Sequence, residues 1–344
     1  MATGDFKLGK ATIKRGERGY VELPITSLYT HTPLSMPVYV IHGRYDGPVI
    51  FVSAAIHGDE INGVEIIRRL IRCRCLRSVH GTILLIPVVN MLGFLGKSRY
   101  LPDRRDLNRC FPGSEHGSLG SQLAHQFLHD IALRCNYGID LHTAAQGRTN
   151  LPQVRVWADH DPQLLELAQA FKTPVILRSD IQEGTLRESC DKHGVKTLLY
   201  EAGEALRFDE MAIRTGYEGV LRVLTHLQII QPKNRRRSKI TPIIAHRNHW
   251  IRASQSGIVR SHIHLGQTVK AGEVLGYLGD PFGDTEQKII ANLDGIIIGQ
   301  STMPLIHEGE ALFHIAAVDD TTSANSTLNA FQHELELHNT SPLL

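Results

Sequence analysis

The chain has 344 residues, of which 42% are hydrophobic and 21% charged. This length allows two folding units, and the composition is that of a soluble globular protein, which excludes wholesale disorder and a fibrous class. The formal net charge of +2, with a pI near 8.3, is too balanced to indicate a nucleic-acid or acidic-membrane partner.

The N-terminal segment contains no apolar stretch long enough for a signal peptide, and no segment reaches the length of a membrane span. The five cysteines are odd in number and show no CxxC spacing. This pattern argues against a disulfide framework and against a cysteine-type zinc site. We therefore expect a protein of the reducing cytoplasm.

Predicted strands and helices alternate along the first two thirds of the chain. The run PVIFVSAA at residues 48–55 is apolar and β-branched, as in a strand buried on both faces. Residues 62–76 have apolar positions at helical spacing with arginines opposite them. Further elements are predicted in chain order as strands at 81–90 and 137–144, a helix at 163–171, a strand at 195–203 and a helix at 211–227. This alternation predicts an α/β domain with a largely parallel sheet over residues 1–235.

The remainder of the chain has a different character. Residues 240–318 contain short strand patterns separated by glycines and no helical periodicity, which predicts a small all-β domain. The polar residues 319–344 are expected to form a loose tail with one short helix. Between the two domains, the basic run Asn234-Arg235-Arg236-Arg237-Ser238-Lys239 is interpreted as a solvated linker. A phosphate-contacting patch at Arg235 to Arg237 is the alternative.

Candidate metal ligands follow the predicted strands, where open α/β sheets place their chemistry. His57 and Glu60 are three residues apart at a loop entering a helix, and His142 ends another strand. Two imidazoles and one carboxylate are a usual ligand set for catalytic zinc, with a fourth position left for water. Asp140 could accept the second ring proton of a metal-bound histidine, and Asp59 is the alternative.

An amide hydrolase would also need a general base and groups that bind the substrate carboxylate and the oxyanion. The sequence offers candidates for both. Glu201, at the end of the strand at 195–203, could act as general base, with Glu204 as its rival. The polar loop at residues 98–109 is rich in arginine, whose guanidinium group suits bidentate carboxylate recognition and oxyanion stabilisation. Asp103 and its two neighbouring arginines are interpreted as exposed ion pairs.

The motifs HGDE, SRY…DLNR, DLHT and YEAG, in this order, resemble those of the succinylglutamate desuccinylase and aspartoacylase family. The resemblance covers most of residues 45–230. It implies a zinc-carboxypeptidase-like α/β fold with a mostly parallel mixed sheet. It also implies hydrolysis of a small N-acyl amino acid to a free amine and a carboxylate.

The family motifs also imply the roles of individual residues. One Zn²⁺ per chain would be held by His57, Glu60 and His142. Glu201 would be the general base and Arg99 the group that stabilises the tetrahedral oxyanion. The substrate carboxylate would be bound by Asn108 and Arg109.

The C-terminal β region resembles the barrel-sandwich fold of biotinyl and lipoyl domains, through its G-x-x-V…G-E-x-L-G and L-D-G-I-I elements. Its modification lysine is missing, because the hairpin reads Asp280-Pro281-Phe282-Gly283-Asp284 and Lys288 falls on the following strand. We therefore expect this region to cover the active site or to make an oligomer contact, rather than to carry a swinging arm.

Other functions stay open at this level. A metallocarboxypeptidase would use the same ligands but needs an open groove for a peptide. A non-catalytic zinc-containing binding protein would need four protein ligands for a closed structural site, and the sequence names three. A nucleic-acid-associated protein would depend on the basic run. The acyl group and the amine are also open, with N-acetylated diamino acids among the candidates.

Overall fold

The computed structural model describes residues 4–157, 161–231 and 238–339. A large mixed sheet has helices on both faces, and a smaller sheet follows near the C-terminus. The strands before residue 205 are β1 Phe6–Leu8, β2 Ala11–Ile13, β3 Arg18–Ser27, β4 Pro33–His42, β5 Tyr45–Ala54, β6 His80–Ile86, β7 Tyr137–Ala144, β8 Arg148–Val156, β9 Val175–Arg178 and β10 Lys196–Glu204. The helices are α1 Asn62–Arg72, α2 Met91–Leu95, α3 Leu119–Asp130, α4 Pro162–Phe171, α5 Leu186–Lys192, α6 Glu210–His226 and α7 Thr321–Asn339. Short 3-10 helices span Arg74–Arg77, Leu107–Arg109 and Ala132–Arg134.

The centre of the large sheet is parallel. Strand β5 pairs in parallel with β6 and β7, and β10 pairs in parallel with β7. Because parallel strands end at the same edge of a sheet, the C-terminal ends of β5, β7 and β10 lie side by side. In this register Ser53 lies opposite Asp140, and His142 lies opposite Glu201.

The flanks of the sheet are antiparallel, so the expectation of a largely parallel sheet is wrong there. Strands β3 and β4 form a hairpin, and β4 pairs antiparallel with β6. On the other side β8 runs antiparallel to β10. Each reversal follows a short connection, which turns the chain back and cannot give the crossover that parallel neighbours require.

Helices cover both faces of the sheet because the strand side chains alternate between two apolar cores. Ile50 and Val52 of β5 pack in the core that includes α1, α4 and α6. Phe51, between them, packs in the core that includes α3 and α5. The predicted helices at 163–171 and 211–227 are confirmed as α4 and α6. None of the helices in the described ranges is long and apolar enough to cross a membrane.

The C-terminal region is all-β up to residue 317. Its strands are β11 Ile243–Ala245, β12 Asn248–Arg252, β13 Gly257–Ser261, β14 Thr268–Val269, β15 Val274–Gly279, β16 Glu286–Ile290, β17 Gly295–Ser301, β18 Leu305–Ile306 and β19 Ala311–Ala317. Five of them belong to the large sheet: β17, β19 and β12 continue it beyond β8, with β17 antiparallel to β8, while β14 pairs with β17 and β11 pairs with β9. Strands β16, β15, β13 and β18 form a separate four-stranded sheet. Residues 234–237 of the basic run lie outside the described residues, so its interpretation as a linker stays a prediction.

The segment after β19 differs from the expected loose tail, because α7 spans 19 residues. Ala324, Leu328 and Phe331 of this helix are buried against Ile296 and Ile298 of β17. Their spacing of four and three residues places them on one face of a helix. This apolar stripe stabilises α7 against the sheet.

Two of the five cysteines also depart from the expectation of reduced thiols, since Cys73 and Cys75 form a disulfide. Cys73 ends α1, and the 3-10 helix Arg74–Arg77 brings the two Cα atoms to 5.3 Å, within the usual range for a disulfide. The bridge spans two residues and therefore does not form a disulfide framework. The remaining cysteines are free.

The close packing of α1 on the sheet gives a test of the fold. A Cβ atom at Gly63 would lie 2.7 Å from Ala54 Cβ and 2.8 Å from Leu141 Cβ. We expect Gly63→Ala to lower the free energy of unfolding by about 1–3 kcal/mol, measured by urea denaturation, because overpacking outweighs the gain in helix propensity. Gly4→Ala is the control, since a Cβ there has no heavy atom within 4 Å. Equal stability of the two variants would contradict the packing.

Candidate active site

The buried residues His57, Glu60 and His142 converge at the C-terminal edge of the central strands. The distance from His57 Nδ1 to Glu60 Oε1 is 2.7 Å, and that from His142 Nδ1 to Glu60 Oε2 is 2.9 Å. One ligand atom from each residue lies within 4.8 Å of the other two. The structure thus brings together the three residues that the sequence singled out as candidate metal ligands.

A tight loop between β5 and α1 places His57 and Glu60. Ala55 has a φ of 50°, and the Glu60 N–H donates to the His57 carbonyl oxygen at 3.1 Å. A Cβ atom at Gly58 would lie 2.0 Å from the carbonyl carbon of Gly93 in α2. Glycine is therefore required at position 58 by the close approach of two backbone segments.

The other nitrogen of each imidazole ring is bound by a second carboxylate. The Nε2 of His57 donates to Asp106 Oδ1 at 3.1 Å, and the Nε2 of His142 donates to Asp140 Oδ2 at 2.7 Å. Ser53 Oγ in turn donates to Asp140 Oδ1 at 2.7 Å. These contacts fix the orientation of each ring, with its Nδ1 turned towards Glu60 and the common centre. The donor set therefore fits a divalent metal ion.

Asp140, and not its alternative Asp59, is the carboxylate on the His142 ring. Within the described residues, the buried Oδ1 of Asp59 has no hydrogen-bond partner. The sequence does not predict Asp106 as a partner of His57, although Asp106 is the first residue of the DLNR motif in the arginine-rich loop at 98–109.

Two carboxylates at this centre, those of Glu60 and Asp106, stay ionised. Burial opposes the ionisation of Glu60, but His57 and His142 outweigh it and hold the pKa of this carboxyl well below its usual range. Burial likewise opposes the ionisation of Asp106, and His57 and Arg99 hold its pKa well below its usual range. Ionised carboxylates and imidazole nitrogens are groups that ligate zinc in proteins.

Arg99 belongs to this centre. Its Nη1 donates to Glu60 Oε1 at 3.1 Å and its Nη2 donates to Asp106 Oδ2 at 3.0 Å. The arginine thus places a fixed positive charge beside the candidate metal site. In the same loop Asp103 and Arg105 form an exposed ion pair at 3.4 Å, as the sequence predicted.

Asn108 and Arg109 lie next to the centre but have other partners. The side-chain Oδ1 of buried Asn108 accepts a hydrogen bond from the Leu186 N–H at 3.0 Å, which orients its amide group. Arg109 is exposed and donates to the Asn108 carbonyl oxygen at 2.6 Å and to Gln182 Oε1 at 2.7 Å. The structure therefore does not join Arg109 directly to the three candidate ligands.

The two candidate bases have different environments. Glu201 Oε2 accepts a hydrogen bond from Asn150 Nδ2 at 2.7 Å and forms an ion pair with Arg155 Nη2 at 3.3 Å. Both contacts fall on one oxygen. Glu204 Oε1 instead accepts from the Gly147 N–H at 3.0 Å, so it fixes the turn between β7 and β8. Only Glu201 lies opposite His142 in the sheet register.

A row of residues across the sheet connects Glu201 to the C-terminal strands, and the sequence analysis missed it. Trp250 pairs with His314, His314 with Gly299, and Gly299 with Asn150. The Trp250 and His314 rings stack with centroids 4.4 Å apart. Burial, with a nearby arginine, lowers the pKa of His314 to about 3, so its ring is neutral at neutral pH. No sequence motif marks these positions, because the strands that contain them are distant along the chain.

Arg187 is a further residue that the sequence analysis did not single out. Burial and repulsion from Arg155 lower its pKa to about 10, whereas Glu201 and Asp140 act in the opposite direction. Its Nη1 donates to Ser179 Oγ at 3.3 Å. Two guanidinium groups, those of Arg155 and Arg187, thus lie beside Glu201.

The chain is similar to known proteins along most of its length. Residues 46–227 match the profile of the succinylglutamate desuccinylase/aspartoacylase catalytic domain. The N-alpha-acetyl-L-2,4-diaminobutyric acid deacetylase of Halomonas elongata is 21% identical over 313 residues, which are 88% of this chain and 92% of that protein.

Two solved structures resemble the whole fold. The succinylglutamate desuccinylase/aspartoacylase of Rhodobacter sphaeroides has a TM-score of 0.76 at 26% identity, covering 87% of this chain and 94% of the other. The product-bound ectoine utilization protein EutE (DoeB) of Ruegeria pomeroyi has a TM-score of 0.78 at 21% identity, covering 88% of this chain and 95% of the other. The similarity therefore extends beyond residues 46–227 into the C-terminal strands.

The carboxylate on His142 gives a test of the candidate metal site. We expect Asp140→Asn to weaken zinc binding roughly 10- to 100-fold, because the ring loses the acceptor that orients it and raises its basicity. Affinity is measured by competition with a chromophoric chelator. Asp103→Asn, in an exposed loop, is the matched control and should bind zinc like the parent protein. Equal affinities of the two variants would contradict the role of Asp140.

Proposed function

This chain belongs to the succinylglutamate desuccinylase/aspartoacylase family, and on that premise we propose that it is a zinc-dependent amidohydrolase acting on a small N-acyl amino acid. Water is added across the amide bond, which releases a carboxylate and a free amine. The convergence of His57, Glu60 and His142, with a candidate base on the neighbouring strand, is the observation that supports this proposal most directly.

We propose that His57 Nδ1, His142 Nδ1 and the Glu60 carboxylate hold one Zn²⁺ per chain. When bound, the ion would lower the pKa of a water molecule and polarise the amide carbonyl. The surrounding residues prepare the site for it. Asp106 and Asp140 keep the two rings oriented, and the anionic Glu60 offsets part of the charge of the ion.

Glu201 is proposed as the general base. Asn150 and Arg155 both bind its Oε2, which holds the carboxylate in one orientation and leaves Oε1 to take a proton from the attacking water. The same oxygen then delivers the proton to the leaving nitrogen. Glu204 is excluded from this role in the proposal, because its Oε1 binds the Gly147 backbone.

Arg99 is proposed to stabilise the oxyanion that develops on the carbonyl oxygen. Its guanidinium is already fixed by Glu60 and Asp106, so little reorganisation is needed during the reaction. Asn108 and Arg109 are proposed to bind the substrate carboxylate. Arg109 would then exchange its present contact with Gln182 for the substrate.

The C-terminal region supports a small substrate over a polypeptide. The Thr302 N–H donates to the Gly147 carbonyl oxygen at 2.9 Å, and Thr302 Oγ1 donates to Glu204 Oε1 at 3.2 Å. The turn between β17 and β18 is therefore joined to the rim of the candidate active site. We propose that the C-terminal strands form a barrel-sandwich-like unit that limits access to the site.

Substrate class and metal dependence are tested together. The named substrate of the Halomonas elongata relative places N-acetylated diamino acids in the test panel, with other N-acetyl, N-succinyl and N-formyl amino acids and blocked dipeptides. We expect one zinc per chain, release of free amine from one acyl class and loss of turnover after chelation. Cleavage of the dipeptides would favour a carboxypeptidase. Bound zinc with no turnover on any compound would favour a binding protein.

The identity of the base is tested by two matched variants. We expect Glu201→Gln to lower kcat by roughly 10²- to 10⁴-fold with zinc content unchanged, because the amide side chain cannot accept the proton. Glu204→Gln should retain most of the activity. The proposal fails if Glu201→Gln turns over normally with zinc bound, or if the two variants are equally impaired.

The contact between the C-terminal strands and the base is tested at Gly299. A Cβ atom there would lie 2.8 Å from Asn150 Oδ1 and 3.1 Å from His314 Cβ. Gly299→Ala should displace the Asn150 amide from Glu201 and lower kcat about tenfold, with little change in KM. A tenfold change in kcat corresponds to the loss of roughly one hydrogen bond. Gln300→Ala, at the next position of β17, is the control. Unchanged kcat in Gly299→Ala would show that Asn150 does not position the base.

A further inference from the structure

A second cavity, of about 300 Å³, opens at the other end of the central strands. Three segments line it, namely the turn before β3, the connection from β4 to β5 and the chain between α1 and β6. Each segment contributes one arginine, and these are Arg18, Arg44 and Arg77. Its volume is in the range of small-molecule sites.

This cavity is separate from the catalytic site. Tyr45, the first residue of β5, lines the cavity, whereas the loop with His57 follows the last residue of the same strand. A strand of ten residues spans roughly 30 Å at the usual rise per residue. A ligand in the cavity therefore does not contact the candidate metal ligands.

The three arginines have no carboxylate partner among the ion pairs of the described residues. The nearby Asp46 is paired with Arg15, which does not line the cavity. Glu17 is the one carboxylate in the lining, and its Oε2 accepts the N–H of Lys14 at 3.3 Å within its own turn. The lining thus has three guanidinium groups against a single carboxylate.

His42, which also lines the cavity, does not change this balance. Its Nε2 donates to the Gly4 carbonyl oxygen at 3.1 Å, and its Nδ1 lies 2.9 Å from Thr82 Oγ1. Both ring nitrogens are therefore occupied by contacts within the protein. The arginines are therefore the charged groups that decide which ligand the cavity favours.

The backbone around the cavity is held in place by close contacts. A Cβ atom at Gly43 would lie 2.1 Å from the Val79 carbonyl oxygen, so the segments containing Arg44 and Arg77 pack backbone against backbone. A Cβ at Gly16 would lie 2.8 Å from Arg44 Cγ, which shows that this side chain lies over the turn before β3. The backbone that carries Arg44 and Arg77 is therefore held in place without a ligand.

We propose that this cavity binds a small dianion, either a phosphate group or a dicarboxylate. Guanidinium groups recognise both through paired N–H···O hydrogen bonds. Three exposed arginines that line one cavity from separate segments can contact one dianion, whose charge offsets their mutual repulsion. The concave shape favours a small molecule over an extended polyanion, which would need a longer basic surface.

The test is calorimetric titration of the zinc-loaded full-length protein with inorganic phosphate and, separately, with malonate, at constant ionic strength. We expect one saturable site per chain outside the active site. Binding of phosphate alone identifies a phosphate site, binding of malonate alone identifies a dicarboxylate site, and binding of both identifies a general dianion site. Absence of saturable binding for both compounds overturns the proposal.

Variants locate the site. The double variant Arg44→Gln and Arg77→Gln should raise the dissociation constant at least about tenfold, since two charge-assisted contacts are lost. Arg74→Gln is the matched control, because Arg74 is exposed in the same 3-10 helix but does not line the cavity. Equal weakening by Arg74→Gln would show diffuse charge attraction and overturn the proposal. The proposal would also be overturned if Arg99→Gln abolished binding and the double variant did not.

Discussion

The carboxylate of Glu60 joins three segments of the chain at the candidate active site. It lies between the His57 and His142 rings and accepts hydrogen bonds from Arg99 and from the Thr143 N–H. Burying an anion costs several kcal/mol unless partners surround it. The loop after β5, the end of β7 and the loop at 98–109 each supply a partner to this group, which ties their positions to one another.

The parallel pairing at the centre of the sheet allows these side chains to converge. Strands β5, β7 and β10 end at the same edge, so residues that are far apart along the chain meet there. The antiparallel strand β8 adds Asn150 and Arg155 beside Glu201. A mixed sheet thus places the candidate ligands on its parallel part and the groups that orient the base on its antiparallel part.

Strands β17, β19 and β12 of the C-terminal region extend the large sheet beyond β8. Because β17 pairs with β8, Gly299 lies against Asn150 and His314 follows on the next strand. The turn after β17 is hydrogen-bonded to Gly147 and Glu204. Changes in this region can therefore reach the candidate base through direct contacts.

The sequence by itself indicated the elements and residues whose signals are local. Apolar runs and helical spacing gave the strands at 48–55, 137–144 and 195–203 and the helices α1, α4 and α6, because those patterns depend on near neighbours. The HGDE and DLHT motifs gave His57, Glu60 and His142, which the structure brings together.

The remaining features of the fold and the site depend on contacts between segments that are distant along the chain. Only the tertiary structure decided them. The antiparallel flanks and the docking of α7 through Ala324, Leu328 and Phe331 follow from how the chain folds back on itself. The pairing of Asp106 with His57 joins different segments of the chain, and so does the pairing of Asn150 with Glu201. The three arginines that line the second cavity also belong to three different segments. No spacing along the chain encodes such pairings, since register and strand order set them.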